Sequence, residues 1–106
     1  MSTLSFQQRC YDLLCQVPAG YVTTYGDLAH AMGNRAYRAI GRAMNQNPNP
    51  IIVPCHRVVN ADGRVGHYAY GVVPKIHLLA QEGVQVMDGY IVNFAQKRFV
   101  FTQNTT

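Results

Sequence analysis

The sequence predicts a single, mainly helical domain with minor β content, built around a helix-turn-helix. Three observations carry this. The chain has 106 residues, 48% hydrophobic and only 13% charged, enough apolar material to offset chain entropy and too little chain for more than one core. Apolar residues recur at helical spacing in three stretches before residue 46. The β-like runs are short, and two of them flank an Asp-Gly dipeptide, the signature of a tight hairpin. The expectation is one module spanning residues 1–106.

The elements follow in order. Phe6, Cys10, Leu13, Leu14 and Val17 define a first helix, with Ser2 or Thr3 as its cap and Pro18 and Gly20 as its stop. Tyr21-Val22-Thr23 reads as a short extended segment. Thr24 with Asp27 resembles a capping box for a second helix through Leu28, Ala29 and Met32, ended by Gly33. Asn34 can cap a third helix from about Arg35 to Asn45, with Ala36, Ile40, Ala43 and Met44 on one stripe and Arg35, Arg38 and Arg42 on another. Short helix, tight turn and arginine-faced helix together make the helix-turn-helix.

Asn47-Pro48-Asn49-Pro50 cannot continue that helix, because each proline lacks a donor and restricts the residue before it. Ile51-Ile52-Val53 reads as a buried extended segment, interrupted by Pro54-Cys55-His56-Arg57 and resumed at Val58-Val59, with a turn at Asn60-Ala61-Asp62-Gly63. A Gly- and Tyr-rich loop over residues 66–71 leads to Pro74 in the first turn of a fourth helix closing at Gly83. Val84–Val92 reads as a hairpin around Asp88-Gly89, and Phe99-Val100-Phe101 as a further strand.

Nine Lys and Arg against five Asp and Glu give a net charge of +4, and Arg35, Arg38, Arg42, Arg57 and Arg64 lie in a stretch whose sole acid is Asp62. That cluster is either a solvated basic face or a nucleic-acid contact. No run of eighteen apolar residues exists, and Gln7, Gln8, Arg9 and Asp12 interrupt any signal-peptide core, so a protein neither membrane-spanning nor secreted is expected. Cys10, Cys15 and Cys55 form no C-x-x-C pair and no even disulfide framework; no metal is expected, and the reducing cytoplasm is the expected location. Cys10 and Cys15 read as small core hydrophobes.

Cys55 differs from the other two in its surroundings, with proline before it and histidine and arginine after it. A neighbouring cation or imidazole lowers a thiol pKa and supplies the thiolate that nucleophilic attack requires; the alternative is a buried hydrophobe beside a satisfied histidine. Glu82 is the only glutamate. If the fold brings it to His56, the three form a nucleophile, base and orienter relay.

The run Pro48-x-Pro50-Ile51-x-Val53-Pro54-Cys55-His56-Arg57-Val58-Val59, with Thr24-Tyr25-Gly26-x-Leu28-Ala29 and Arg38-Ala39-Ile40-Gly41-x-Ala43-Met44 before it and Gly66-x-Tyr68-x-x-Gly71-x-x-x-Lys75 after it, resembles the C-terminal domain of O6-alkylguanine-DNA alkyltransferases. The resemblance implies a winged helix-turn-helix-like fold and irreversible, stoichiometric transfer of an alkyl group from O6-alkylguanine in double-stranded DNA to Cys55. It implies no cofactor and a monomer. It further implies that His56 takes the thiol proton through a water, Glu82 steadies His56, Asn47 braces the turn, and Tyr25 donates to the guanine ring. Arg38 would fill the gap left by a flipped nucleotide, with Ala36, Tyr37, Ala39, Gly41 and Arg42 on the DNA-facing helix. Met44, Val58, Tyr68 and Ala69 would line the base pocket, with the carbonyls of Cys55 and Val58 accepting from the guanine amino group.

Three positions depart from the family pattern: Tyr37 where a small residue is expected, Ala69 in place of a serine, and Tyr70 in place of a glycine. The Asp88-Gly89 hairpin with Phe99 and Phe101 is closer to the tail of alkyltransferase-like proteins, which bind the lesion without removing it and hand it to excision-repair proteins. The retained Cys55, His56 and Glu82 favour transfer. A helix-turn-helix regulator is the third reading, disfavoured because Arg35, Arg38 and Arg42 supply mainly phosphate contacts.

Overall fold

The computed structural model describes residues 5–49 and 52–101. The expected Ser2 and Thr3 caps lie outside them, and Ser5 does the capping: its hydroxyl accepts from the Gln8 amide at 3.0 Å and opens helix α1, Phe6–Leu14. The helix ends before Val17, and Cys15, just past it, faces solvent; its expected place in the core was wrong because only Cys10 lies on the buried stripe. Burial pushes the Cys10 thiol up to about 11.

Strand β1, Thr23–Thr24, runs straight into helix α2, Tyr25–Met32, where the Thr24 hydroxyl accepts from the Asp27 amide at 2.9 Å. Gly33 closes α2 with φ of 76°, the left-handed conformation that glycine adopts without steric cost. Helix α3, Tyr37–Asn45, starts later than the pattern suggested and has no side-chain cap. Asn34 instead accepts from the Ala36 amide at 3.0 Å, so its side chain shapes the turn between the helices rather than the helix end. Ala36 thereby falls outside the buried stripe, which is Ile40, Ala43 and Met44.

These three helices enclose the main core, where Cys10, Leu14, Leu28, Ala29 and Ile40 are fully shielded and the Tyr11 hydroxyl donates to the Ala43 carbonyl at 2.7 Å. After α3 the expected extended segment is absent: Ile52 and Val53 lie in a turn and Ile52 is 75% exposed, while Ile51 is outside the described residues. Pro48 and Pro54 deny ladder donors, and the Val53 amide bonds to the Asn49 carbonyl at 2.8 Å, folding the segment on itself.

A single 3-10 turn, Cys55–Arg57, leads into strand β2, Val58–Val59, which pairs in parallel with β1, Thr23 opposite Val58 and Thr24 opposite Val59. Helix α4, Val72–Gln81, packs its Leu79 into a second core of Val22, Val59, Val65, Val84 and Ile91. Strands β3, Val86–Met87, and β4, Tyr90–Ile91, form the expected hairpin, with Asp88 and Gly89 at φ of 53° and 82° as a type I′ turn requires.

A short helix α5, Phe94–Lys97, was not foreseen. The expected final strand reduces to one bridge, Val22 to Arg98, after which Phe101 inserts into the main core. Arg98 also forms a bidentate pair with Asp27, both contacts 2.8 Å, tying the end of the described chain to the first turn of α2. The architecture of the described residues is mainly helical with two small sheets, one of them the hairpin wing. No helix among the described residues is long and apolar enough to cross a membrane.

Gly66 and Gly83 both have positive φ, but a Cβ at Gly66 would meet the Asn60 Oδ1 at 2.8 Å whereas one at Gly83 would meet nothing within 4 Å. Gly83→Ala should therefore cost about 1 kcal/mol of backbone strain, and Gly66→Ala about 1–3 kcal/mol more. Urea unfolding of the two variants measures the difference; equal losses would refute the steric assignment.

Candidate active site

The 3-10 turn that holds Cys55 and His56 is pinned from several directions. The Cys55 amide bonds to the Val53 carbonyl at 2.7 Å and the Arg57 amide to the Pro54 carbonyl at 2.9 Å. Asn47, buried at the end of the α3 segment, accepts from the Asn49 amide at 2.9 Å and donates to the Val53 carbonyl at 2.8 Å, so one amide side chain spans the loop that delivers Cys55. Cys55 and His56 are only 4% and 2% exposed.

His56 Nε2 lies 3.1 Å from Glu82 Oε2. Glu82 follows α4, and the fold brings it to the turn as the triad reading required. The same carboxylate receives Arg57, with Nε at 2.9 Å from Oε1 and Nη2 at 2.6 Å from Oε2, while Arg57 Nη1 donates to the Val17 carbonyl at 2.7 Å. Burial raises the Glu82 pKa, but the hydrogen bonds from Arg57 and His56 outweigh it and hold the carboxyl below its usual range. Burial pushes the His56 imidazole down against the opposing pull of Glu82. An ionised carboxylate only accepts, so the neutral ring places its N–H on Nε2 and leaves Nδ1 as a bare acceptor. That nitrogen is buried without a hydrogen-bond partner among the described residues.

The thiol departs from expectation. Burial raises the Cys55 pKa and outweighs the lowering effects of Asn47, its own backbone and Lys75, so Cys55 rests as a thiol rather than a thiolate. No hydrogen bond joins it to His56 among the described residues. Lys75 is the largest fully buried side chain, and its ammonium donates to the carbonyls of Val58 at 2.6 Å and His67 at 2.8 Å. Burial brings its pKa down to about 7. The sequence placed Lys75 in a motif but gave it no role, since nothing in a helical pattern announces a buried cation.

Beside Cys55 lies a cavity of only about 10 Å³, lined by Tyr25, Met44, Asn45, His67, Tyr68 and Ala69. That is room for about one water molecule. Asn45 and His67 were not anticipated; His67 Nε2 lies 3.2 Å from Asn45 Oδ1. The Val58 side chain, expected in the pocket, is fully buried in the main core because its position in β2 turns it inward, and its carbonyl receives Lys75. Tyr70 is exposed and packs edge-on against Tyr68 at 5.5 Å between centroids, outside the cavity lining.

On α3, Arg38, Arg42 and Tyr37 are exposed while Ala39 and Gly41 are half-buried; Ala36, just ahead of the helix, is also half-buried. Of the arginine cluster read from the sequence, Arg57 is withdrawn into the Glu82 pair and Arg64 binds Asp62 and the Tyr90 hydroxyl. The basic face is thus narrower than the sequence suggested: Arg35, Arg38 and Arg42, none with an ion-pair partner among the described residues.

The fold is a helix-turn-helix with a hairpin wing, an arginine face without ion-pair partners among the described residues, and a largely enclosed cluster of Cys55, His56 and Glu82. A family model described as "6-O-methylguanine DNA methyltransferase, DNA binding domain" matches residues 5–84, and the chain belongs to that family. It is 51% identical over 81 residues to the methylated-DNA–protein-cysteine methyltransferase of Thermococcus kodakarensis, covering 76% of this chain and 45% of the relative. It is 41% identical over 92 residues to a bifunctional methyltransferase/endonuclease of Thermoplasma volcanium, covering 84% of this chain and 29% of the relative. The chain thus spans about half the length, or less, of these curated relatives.

Among solved structures, S. pombe Atl1 in complex with damaged DNA containing O6-carboxymethylguanine is similar with a TM-score of 0.80 at 28% identity, covering 93% of this chain and 98% of that one. Mycobacterium tuberculosis OGT in complex with DNA is similar with a TM-score of 0.71 at 41% identity, covering 76% and 51%.

Lys75 also makes stability depend on pH. An unfolded lysine titrates near 10.4, so between about pH 7 and about pH 10 the unfolded chain binds a proton that the folded one does not, and stability rises with pH across that window. The urea midpoint should gain more from pH 7 to pH 9 in the wild type than in Lys75→Met. Equal gains in both would show that Lys75 carries its proton in the fold.

Proposed function

We propose that this chain repairs O6-alkylguanine in double-stranded DNA by moving the alkyl group onto Cys55, once per molecule and without a cofactor. The observation that carries the reading is the nucleophile, base and orienter set: Cys55 lines the cavity, and His56 beside it has Nε2 engaged by Glu82 and Nδ1 unpartnered. Sγ attacks the alkyl carbon; the S–C bond forms as the C–O6 bond breaks, and the electron pair leaves with guanine. The thiol proton passes to His56 Nδ1 through a bridging water, and the Tyr25 hydroxyl, at the cavity wall, donates to the departing base. The thioether cannot be hydrolysed back, which limits each molecule to one event.

A guanine stacked in a duplex hides O6, so the nucleotide turns out into the cavity at a cost of a few kcal/mol. Arg38 on exposed α3 fills the space it leaves, and the small Ala36, Ala39 and Gly41 let the helix lie close in the minor groove. The chain works as a monomer in the cytoplasm.

A second reading rests on its own observations: the likeness to Atl1 covers nearly all of both chains, and the cavity as it stands is too small for a purine. In that reading the chain binds the lesion and recruits excision-repair proteins.

Incubation with a duplex containing O6-methylguanine, followed by mass measurement of the protein, separates the two. A single methyl on Cys55 with restored guanine is expected; tight lesion binding with unchanged protein mass establishes the second reading, and equal affinity for undamaged duplex overturns both. Cys55→Ala should abolish transfer and keep binding. Arg38→Ala should weaken lesion binding at least about tenfold, beyond one lost phosphate contact of about 1 kcal/mol; a smaller loss counts against flipping.

A further inference from the structure

We propose that Arg57 is a positioning residue of this site, setting the orientation and proton occupancy of His56 through Glu82. Its place in alkyl transfer rests on the function proposed above; its hold on Glu82 and His56 does not require DNA.

Arg57 and His56 share one acceptor atom. Arg57 Nη2 and His56 Nε2 meet the same oxygen, Glu82 Oε2, at 2.6 Å and 3.1 Å, and Arg57 Nε takes the other oxygen at 2.9 Å. The guanidinium fork fixes the plane of the carboxylate and leaves one direction at Oε2 for the imidazole. The fork is itself fixed, because Nη1 donates to the Val17 carbonyl beyond α1 at 2.7 Å. Both partners are largely enclosed, with side chains 15% and 18% exposed, so this contact is far less screened than a surface pair.

The charge consequence follows. A buried carboxylate facing only an imidazole draws a second proton onto the ring, and an imidazolium has no lone pair to receive the thiol proton. The Arg57 cation satisfies Glu82, so the pair holds the ring in place without protonating it. Every charged or titratable neighbour enters the balance. From its own turn Arg57 acts on the ring, and from α4 and its end Lys75 and Glu82; Cys55 is the preceding residue, and Tyr11 of α1, Tyr25 of α2 and Tyr68 of the cavity loop bear on Cys55. Among these, Arg57 and Lys75 oppose an imidazolium and Glu82 alone favours it. Removing Arg57 deletes one opposing charge and releases the favourable one, so both effects move His56 upward.

The test is an NMR titration of the imidazole in free protein, with the His56 resonance assigned by its loss in His56→Gln. Arg57→Ala should raise the His56 midpoint by about one pH unit. In a Glu82→Gln background the same substitution should shift it by half that or less, because the route through the carboxylate is gone. An unchanged midpoint, or an equal shift in both backgrounds, overturns the proposal in favour of a tie that is only structural or a cation acting from a distance. Should Arg57→Ala not fold, Arg57→Lys keeps the charge and loses the fork: the His56 Nε2–H should then exchange with solvent at least about tenfold faster, and unchanged exchange overturns the proposal. Because no reading depends on DNA, failure here leaves transfer to Cys55 standing, and failure of transfer leaves this result standing.

Discussion

The carboxylate of Glu82 is the constraint on which the site depends. It is the only glutamate in the chain, it sits just past the last turn of α4, and it receives three hydrogen bonds from two consecutive residues of the Cys55 turn. Arg57 extends the same network to the Val17 carbonyl, so the end of α1, the 3-10 turn and the end of α4 meet at one anionic group. Hydrogen bonds to a charged group contribute about 1.5–3 kcal/mol each, more than the neutral contacts elsewhere in the fold. The turn is therefore rigid around Cys55 and His56, and its rigidity comes from the residues that also set the proton on His56.

The rest of the fold places partners around that turn. Parallel pairing of Thr23-Thr24 with Val58-Val59 sets Tyr25, the next residue, against the same cavity as Cys55. Lys75 then ties β2 to the loop through Val58 and His67. Weaker contacts lie at the rim: the His67–Asn45 hydrogen bond joins two lining residues, and Tyr70, outside the lining, packs edge-on against Tyr68. Each is worth about 1 kcal/mol, small against the free energy of binding a duplex, whereas the Glu82 network is not.

How much of this was legible in the sequence depended on whether the signal was local. The Thr24 cap, the stop at Gly33 and the Asp88-Gly89 turn are short-range chemistry and were read correctly, because each needs only neighbours within four residues. Asn34 was misjudged because an Asn before a helix can serve either the helix or the turn leading to it, and only the backbone path decides. Ile52 reads as a buried strand from its hydrophobicity; the prolines that the sequence marks as the ends of that segment also deny it a ladder, and the Val53–Asn49 hydrogen bond folds it on itself. Arg57 was counted with a basic face and Lys75 with a motif; their burial rests on carbonyls and a carboxylate 17 to 40 residues away, which no pattern of neighbours reveals. His67 and Asn45 went unnoticed for the same reason.

The protonation state of Cys55 bears on why such a site would keep its thiol neutral at rest. A permanently ionised cysteine reacts with any soft electrophile or oxidant that reaches it. Cys10 and Cys55 are both buried and both shifted upward by burial, so burial alone protects either sulfur. What separates them is the company each keeps. Burial is the only influence on the Cys10 thiol, whereas Cys55 has the Asn47 amide, the Lys75 charge and, one residue on, an imidazole nitrogen without a hydrogen-bond partner among the described residues. A thiol held neutral beside a waiting base ionises when a proton path between them is completed, not before. On the proposed function, reactivity then depends on a ligand that completes this path, and a protein that reacts once gains most from such a dependence.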